Sequence, residues 1–334
     1  MIFINSLDLF YEDIKTSLNS IYNLTLIHKL FIIFLILIFI TIVFNGVSNT
    51  QQFNVLENFD NKEKFIKKID VDVYDNYYSK YYDAIHLNKK RNEFEVAEIK
   101  KLAKKNNDTK ILDIGCGTGY TVELFNHAKY DILGLDVSED MISKARSNYP
   151  NCEFMVNNIL TDNELETDRY SHVLCLGKTI YEIKDKETFF ENCKSILSKD
   201  GFLIIHLVDR DRFSPYVQNK DKNMLYDPEK YGKSVNELIV KFDKNNEFHS
   251  KYKVTNLENN NKFDSTIEPY AIYNEKFINF KSNKVRVNEI NLYMPLSKKI
   301  INLANSKDFK LFKKIELNPI NYRNEYLYVF KHED

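Results

Sequence analysis

Three of the chain's eight glycines, Gly115, Gly117 and Gly119, fall within five residues. They follow the short apolar run from Lys110 to Ile114 and precede a helix-compatible stretch, Tyr120 to Lys129. In a chain so poor in glycine, clustering at a strand-to-helix turn implies a backbone brought very close to a ligand, where a side chain would collide with it. A second apolar run, Asp131 to Val137, carries Asp136 near its end, 23 positions after Asp113. In α/β nucleotide-binding units, an acidic residue placed there accepts hydrogen bonds from both ribose hydroxyls. The dinucleotide fingerprint would need glycine where Tyr120 stands, and no Gly-Lys-Ser/Thr follows. The expected ligand therefore has a ribose but no pyrophosphate.

The run Ile111-Leu112-Asp113-Ile114-Gly115-Cys116-Gly117-Thr118-Gly119 resembles the first motif of the class I S-adenosylmethionine-dependent methyltransferases. The resemblance continues through Gly134 to Met141, Asn157-Asn158-Ile159, Val173 to Gly177 and Lys199 to Ile205. It covers residues 74–209 and resumes in the last forty. It implies S-adenosyl-L-methionine as cofactor, held by Tyr78, Asp113, Gly115, Gly117, Gly119, Asp136, Val137, Met141, Asn158, Ile159 and Leu176. Asn158 stands where many relatives place an aspartate, and its amide oxygen is expected to accept the same bond from the adenine amino group. Tyr74, Tyr77, Tyr78, Tyr81 and Tyr82 crowd a helix-compatible segment, Tyr74 to His86, where many relatives bring a helix over the methionine end of the cofactor. The same spacing also describes a packed helical face.

These residues call for strands and helices in alternation. The fold that the resemblance implies is α/β: a Rossmann-like seven-stranded methyltransferase sheet, its last strand antiparallel, over residues 74–334. Within it, residues 210–295 form an aromatic-rich insertion whose alternating stretches (235–242, 248–257, 263–273, 276–281 and 284–293) predict an antiparallel meander. The helix expected over 296–305 and the strands over 310–317 and 325–330 match the hairpin that closes such a sheet. The insertion makes the resemblance greatest to small-molecule N-methyltransferases of amino sugars, which implies a small-molecule acceptor, an amine above all. It also leaves room for a homodimer through the insertion.

Methyl transfer from a sulfonium needs nucleophile, methyl carbon and sulfur in line and water excluded, so few side chains are obligatory. Tyr181, four residues after Gly177, is the first choice to orient or deprotonate the acceptor, and His206, within the run 202–208, is the second. Rival readings are a binding protein of the same fold without turnover, a protein or lipid methyltransferase, and a nicotinamide oxidoreductase, which Tyr120 and the terminal hairpin oppose.

The chain has 334 residues, with 47 Lys+Arg against 48 Asp+Glu. No overall basic field favours nucleic acid as a partner. The four cysteines, Cys116, Cys152, Cys175 and Cys193, show no C-x-x-C spacing, which suggests neither a zinc site nor a disulfide framework. Fourteen of the fifteen residues from Leu30 to Phe44 are Leu, Ile, Val or Phe. Extended to 24–47 the run makes a helix of about 36 Å, enough to cross a hydrocarbon core of roughly 30 Å. One transmembrane helix is therefore expected at 24–47, after an amphipathic segment at 1–23 and before a polar linker at 48–73. The expected location is a membrane, with a single pass and the catalytic domain on the cytosolic side.

Overall fold

The computed structural model describes residues 64–333 except 162–164, 216–223, 227–235, 243 and 256–267, together with Thr25 and six helical residues between 26 and 37. The chain divides into two compact units, Met1–Asn58 and Phe59–Asp334. In the first, Leu26, Leu30, Phe34, Leu35 and Leu37 are helical and exposed. The rest of the expected membrane span and amphipathic segment lies outside the described residues. Among the described residues, no helix is long and apolar enough to cross a membrane.

The second unit is built on a seven-stranded sheet. Its first strands, β2 (Lys110–Ile114), β3 (Asp131–Asp136), β4 (Glu153–Val156), β5 (Tyr170–Cys175) and β6 (Leu197–Val208), pair in parallel. The terminal hairpin of β12 (Phe309–Glu316) and β13 (Glu325–His332) adds antiparallel to β6, and the order across the sheet is β12-β13-β6-β5-β2-β3-β4. This is the expected sheet with its antiparallel last strand.

Both faces are covered, and the pleat divides the apolar residues between them. Ile111, Leu174 and Ile204 face one core with Val96 and Ile99 of helix α2 (Lys89–Lys100), Val122 and Phe125 of α3 (Tyr120–His127), and Ile142 and Ala145 of α4 (Glu139–Asn148). Their neighbours Leu112, Val173, Leu203 and Ile205 face the other, with Phe189 and Phe190 of α5 (Lys186–Ile196) and Ile300 and Ala304 of α6 (Ser297–Ser306). The chain steps outward from β2 to β3 and β4, then returns to β5 and β6 on the other side. The carboxyl ends of β2 and β5 therefore flank a topological switch point, where open α/β sheets bind ligands.

A second sheet of six described strands combines five from the insertion with one from before the central sheet, in the order β1 (Phe65–Ile69), β11 (Lys284–Leu292), β10 (Ala271–Asn279), β9 (Asn246–Val254), β8 (Asn236–Lys241) and β7 (Met224–Tyr226). Strands β7 to β11 form the expected antiparallel meander. One expected break is absent: β10 runs unbroken through Asn274 and Glu275. The pleat turns the Glu275 carboxylate inward, where it is fully buried.

The linker expected at 48–73 ends earlier than anticipated. Phe65–Ile69 form β1, which pairs in parallel with β11 from Phe65↔Val285 to Ile69↔Glu289. A 3₁₀ turn over Asp70–Val73 follows, and the Asp70 carboxylate accepts from the backbone N–H and side-chain amide of Asn291. The short run Phe-Ile-Lys-Lys-Ile leaves alternate side chains exposed, so its polarity hides a strand that lives on a distant partner.

Arg286 joins the two sheets' attachments. It is among the largest fully buried side chains. Its guanidinium donates two bonds of 2.9 Å to Asp75, one of 2.9 Å to the Val73 carbonyl and one of 2.8 Å to Asn288, and stacks over the Tyr77 ring. Asp75 in turn caps helix α1 (Asn76–His86) by accepting from Tyr78 N–H. Removing the cation leaves a carboxylate and a carbonyl poorly partnered. Arg286→Met should lower the free energy of unfolding by about 2 to 4 kcal/mol in urea titration, and a loss under about 1 kcal/mol would contradict this role.

Candidate functional site

The glycine turn is held by its backbone. Gly115 and Cys116 donate to the Leu135 carbonyl at 2.7 and 3.0 Å, which locks the end of β2 against β3. Gly117, at φ +57° in the left-handed region, donates its N–H to Asp136 Oδ2 at 2.9 Å. The other Asp136 oxygen accepts from Ser138 N–H at 2.9 Å, and Ser138 caps α4 by accepting from Met141 N–H. The turn's Thr118 hydroxyl donates to Asp83 of α1, which places α1 over the turn.

These elements surround a cleft of about 480 Å³ at the switch point. Nine of the residues expected to hold the cofactor line it: Asp113, Gly115, Gly117, Asp136, Val137, Met141, Asn158, Ile159 and Leu176. Asn158 Oδ1 already accepts from Leu160 N–H at 3.0 Å, which leaves one lone pair for a ligand. Two expected residues stand elsewhere. Gly119, at φ +89°, is the cap of α3, and a Cβ there would come 2.6 Å from the Phe154 ring; its glycine serves helix packing. Tyr78 is turned into a second cavity beside the cleft.

That second cavity, about 180 Å³, lies between α1, the segment after β5 and the insertion. Phe213, Leu238, Tyr252, Tyr273, Ile290, Leu292 and Met294 give it an apolar and aromatic wall. Tyr74, Tyr82, His86, Leu87, Arg91, Gly177 and Glu182 line both spaces, so the two share a boundary.

The two expected catalytic residues do not act there as proton acceptors. Tyr181 lines the second cavity, but its hydroxyl accepts from Val208 N–H at 2.8 Å, and burial pushes its pKa far above the ordinary phenol range. It is a packing and positioning residue. His206 is fully buried in β6, with Nε2 3.0 Å from Glu325 and Nδ1 3.8 Å from Glu95, and lines neither space. The inward side of a central strand leaves it no access to a ligand.

Glu182, the next residue after Tyr181, opens onto both spaces and accepts from the Tyr74 hydroxyl at 2.7 Å. Its surroundings push its carboxyl up to about 7, through desolvation first, with Asp136 and Asp70 adding repulsion and the Tyr74 bond opposing. Burial pushes Asp113 up to about 8, with repulsion from Glu95 and Asp136 adding to it. Asp136 is raised by desolvation against the pull of its backbone N–H bonds. Acids held above their ordinary range by burial and by each other are relieved by a bound cation. S-adenosylmethionine, cationic at sulfur and at its amino group, suits a cleft in which Asp70, Asp113, Asp136 and Glu182 outnumber Arg91 and Lys184, and its ribose suits Asp136. The residues present fit it.

The comparisons agree with this geometry. Residues 111–201 match the family model described as a methyltransferase domain. A probable S-adenosylmethionine-dependent methyltransferase of Mycobacterium tuberculosis is 29% identical over 106 residues, which are 31% of this chain and 38% of that protein. The chain thus spans less than half the length of the curated relatives it matches. A solved S-adenosylmethionine-dependent methyltransferase from Clostridium acetobutylicum superposes with a TM-score of 0.56 at 13% identity, over 78% of this chain and 99% of that one. The sugar N-methyltransferase KedS8 from Streptoalloteichus gives 0.50 at 13% identity, over 77% and 93%. At such identities the structures show a shared fold. Residues 111–201 match a methyltransferase domain, and S-adenosylmethionine is the cofactor these likenesses support.

The hydroxyl of Tyr181 satisfies a buried backbone donor, which the phenylalanine variant would orphan. Tyr181→Phe should therefore cost about 1 to 3 kcal/mol of stability in thermal or urea unfolding. Unchanged stability together with loss of turnover would return Tyr181 to the chemistry.

Proposed function

We propose that this chain is a membrane-held S-adenosylmethionine-dependent methyltransferase that methylates an amine nitrogen of a small-molecule acceptor. The observation that carries this reading is the shared boundary of the two cavities. A nucleophile in the smaller space and a cofactor in the larger one meet only along the wall that includes Tyr74, Tyr82, His86 and Glu182. The apolar and aromatic wall of the smaller space suits the water-poor setting that in-line methyl transfer requires. Glu182, with its carboxyl poised near neutrality, suits a cationic amine at that boundary. The fold shared with a sugar N-methyltransferase supports the same acceptor class. The buried face of the insertion is covered within the chain, by contacts such as Phe277 on Tyr77, Tyr78 and Tyr81, so the reading needs no second subunit.

The bound cofactor supplies an electrophilic methyl group. The chain's own residues hold its ribose (Asp136), offset its charge (Asp113, Glu182) and present the acceptor nitrogen. Calorimetry with S-adenosylmethionine, and release of S-adenosylhomocysteine with glucosamine and other primary amines, test the reading. Asp136→Ala should weaken cofactor binding by about 1 to 3 kcal/mol, through lost charge-assisted bonds. A folded protein that binds no S-adenosylmethionine would overturn the proposal.

Membrane attachment through residues 24–47, with the domain on the cytosolic side, is supported by the apolar run from Leu30 to Phe44 and by the uncovered side chains of Leu26, Leu30, Phe34, Leu35 and Leu37. The full chain should stay with membranes through alkaline carbonate extraction. Asn107, exposed in an Asn-Asp-Thr acceptor sequence, should carry no glycan in a eukaryotic host. Release by carbonate refutes the span, and a glycan on Asn107 refutes the orientation.

A further inference from the structure

We propose that His86 is the proton acceptor for the acceptor's nucleophile and that Glu275 is the positioning residue that fixes its imidazole, an inference that rests on the reading of the two cavities given above. His86 closes α1 and lines both spaces, so its ring lies on the wall where acceptor and methyl donor meet. Its Nε2 is 2.8 Å from Glu275 Oε1 and 2.7 Å from the Tyr78 hydroxyl. Glu275 has no exposed surface, and its other oxygen accepts from Asn288 Nδ2 at 3.1 Å. A buried carboxylate accepts only, so Nε2 carries the ring proton and Nδ1 keeps its lone pair. Among the described residues Nδ1 has no hydrogen-bond partner, and it is not among the buried unpartnered atoms, so it is an accessible nitrogen on a ring that lines both cavities.

The ring is wedged as well as bonded. Tyr82 packs at 5.0 Å between ring centroids, Tyr78 at 5.9 Å and Tyr273 at 6.3 Å, which hinders a flip that would exchange the two nitrogens. The charged and titratable groups around it are Tyr78 and Tyr82 on its own helix, Glu275 and Tyr273 on β10, and Tyr74, Arg91, Lys178, Tyr181, Glu182 and Tyr252 on the walls of the smaller cavity. Of these, Glu275 is the carboxylate on the ring nitrogen, while Glu182 is bonded to Tyr74.

An amine that enters as an ammonium ion has no lone pair. Its proton passes to Nδ1 and the N–H bonding pair stays on nitrogen. That pair forms the new N–C bond while the C–S pair remains on sulfur, and the imidazolium is balanced by Glu275 until its proton leaves through the cavity mouth. This is the orienting-acid and base arrangement of other nucleophile-activating sites, assembled here from a helix end and an inserted strand.

The deciding measurement is two-bond ¹H–¹⁵N correlation of the histidine rings in the ¹⁵N-labelled full chain without ligand. His86 should show the neutral Nε2–H form with an unprotonated Nδ1. Glu275→Gln, whose amide can also donate to Nε2, should let the ring populate the Nδ1–H form, a change that a purely structural clamp would not produce. With glucosamine as acceptor probe, His86→Gln, whose amide can still reach Glu275, should lose about 100-fold in kcat, keep its cofactor affinity and lose the acidic limb of the pH profile. An Nδ1–H ring in the wild type, a tautomer unmoved by Glu275→Gln, or an unchanged kcat and acidic limb in His86→Gln would overturn the proposal. A wild type inert toward glucosamine counts against the amine reading, and the ring-nitrogen measurement then decides the dyad by itself.

Discussion

Desolvated carboxyls crowded at the ends of parallel strands are the constraint around which this molecule is arranged. Asp113 ends its run beside the glycine turn, Asp136 ends β3, and Glu182 follows β5, all on one cleft. Like charges in a poorly solvated space repel, and each is raised above its ordinary range. The protein answers with fixed dipoles. Backbone N–H groups of Gly117 and Ser138 point at Asp136, and a phenol serves Glu182. The remaining imbalance is left for a ligand of opposite charge, and binding energy thereby becomes specificity for a cation.

Keeping that cleft dry takes a roof, and the roof is composite. Helix α1 lies over the glycine turn through Asp83 and Thr118, and its two ends are tied to the insertion, the first through Asp75 and Arg286 and the last through His86 and Glu275. Neither piece would sit still alone. The helix has a tyrosine face that needs the Phe277 side of the sheet, and the sheet has buried Glu275, Asn288 and Arg286 that need the helix. The smaller cavity is thus a by-product of how the two are pinned together.

What the amino-acid sequence reveals follows the range of the interactions. The turn from Asp113 to Gly119 and the partner Asp136 are readable because their meaning depends on spacing within two dozen residues. The closing hairpin is readable for the same reason. Glu275, Arg286 and β1 are not, because they act on partners about 190 to 220 positions away. Tyr181 and Glu182 show a subtler loss. They are neighbours at a single 3₁₀ turn, one turned into the core and the other onto the cleft, and no period in so short an element tells which faces the ligand. His206 misled because an imidazole in an apolar strand looks the same whether its far side meets a cavity or two buried carboxylates.

The pairing of β1 with β11 has a consequence for biogenesis. Phe65 pairs opposite Val285, so the strand stays unpaired until about 220 further residues have been made. The five parallel strands of the central sheet are all complete by Val208 and have much shorter loops to close. Vectorial synthesis therefore forms the cleft's parallel strands before its roof, which waits for the insertion to capture β1. During that interval Phe65 and Ile69 belong to an open strand edge, a state in which non-native pairing competes until the insertion claims it.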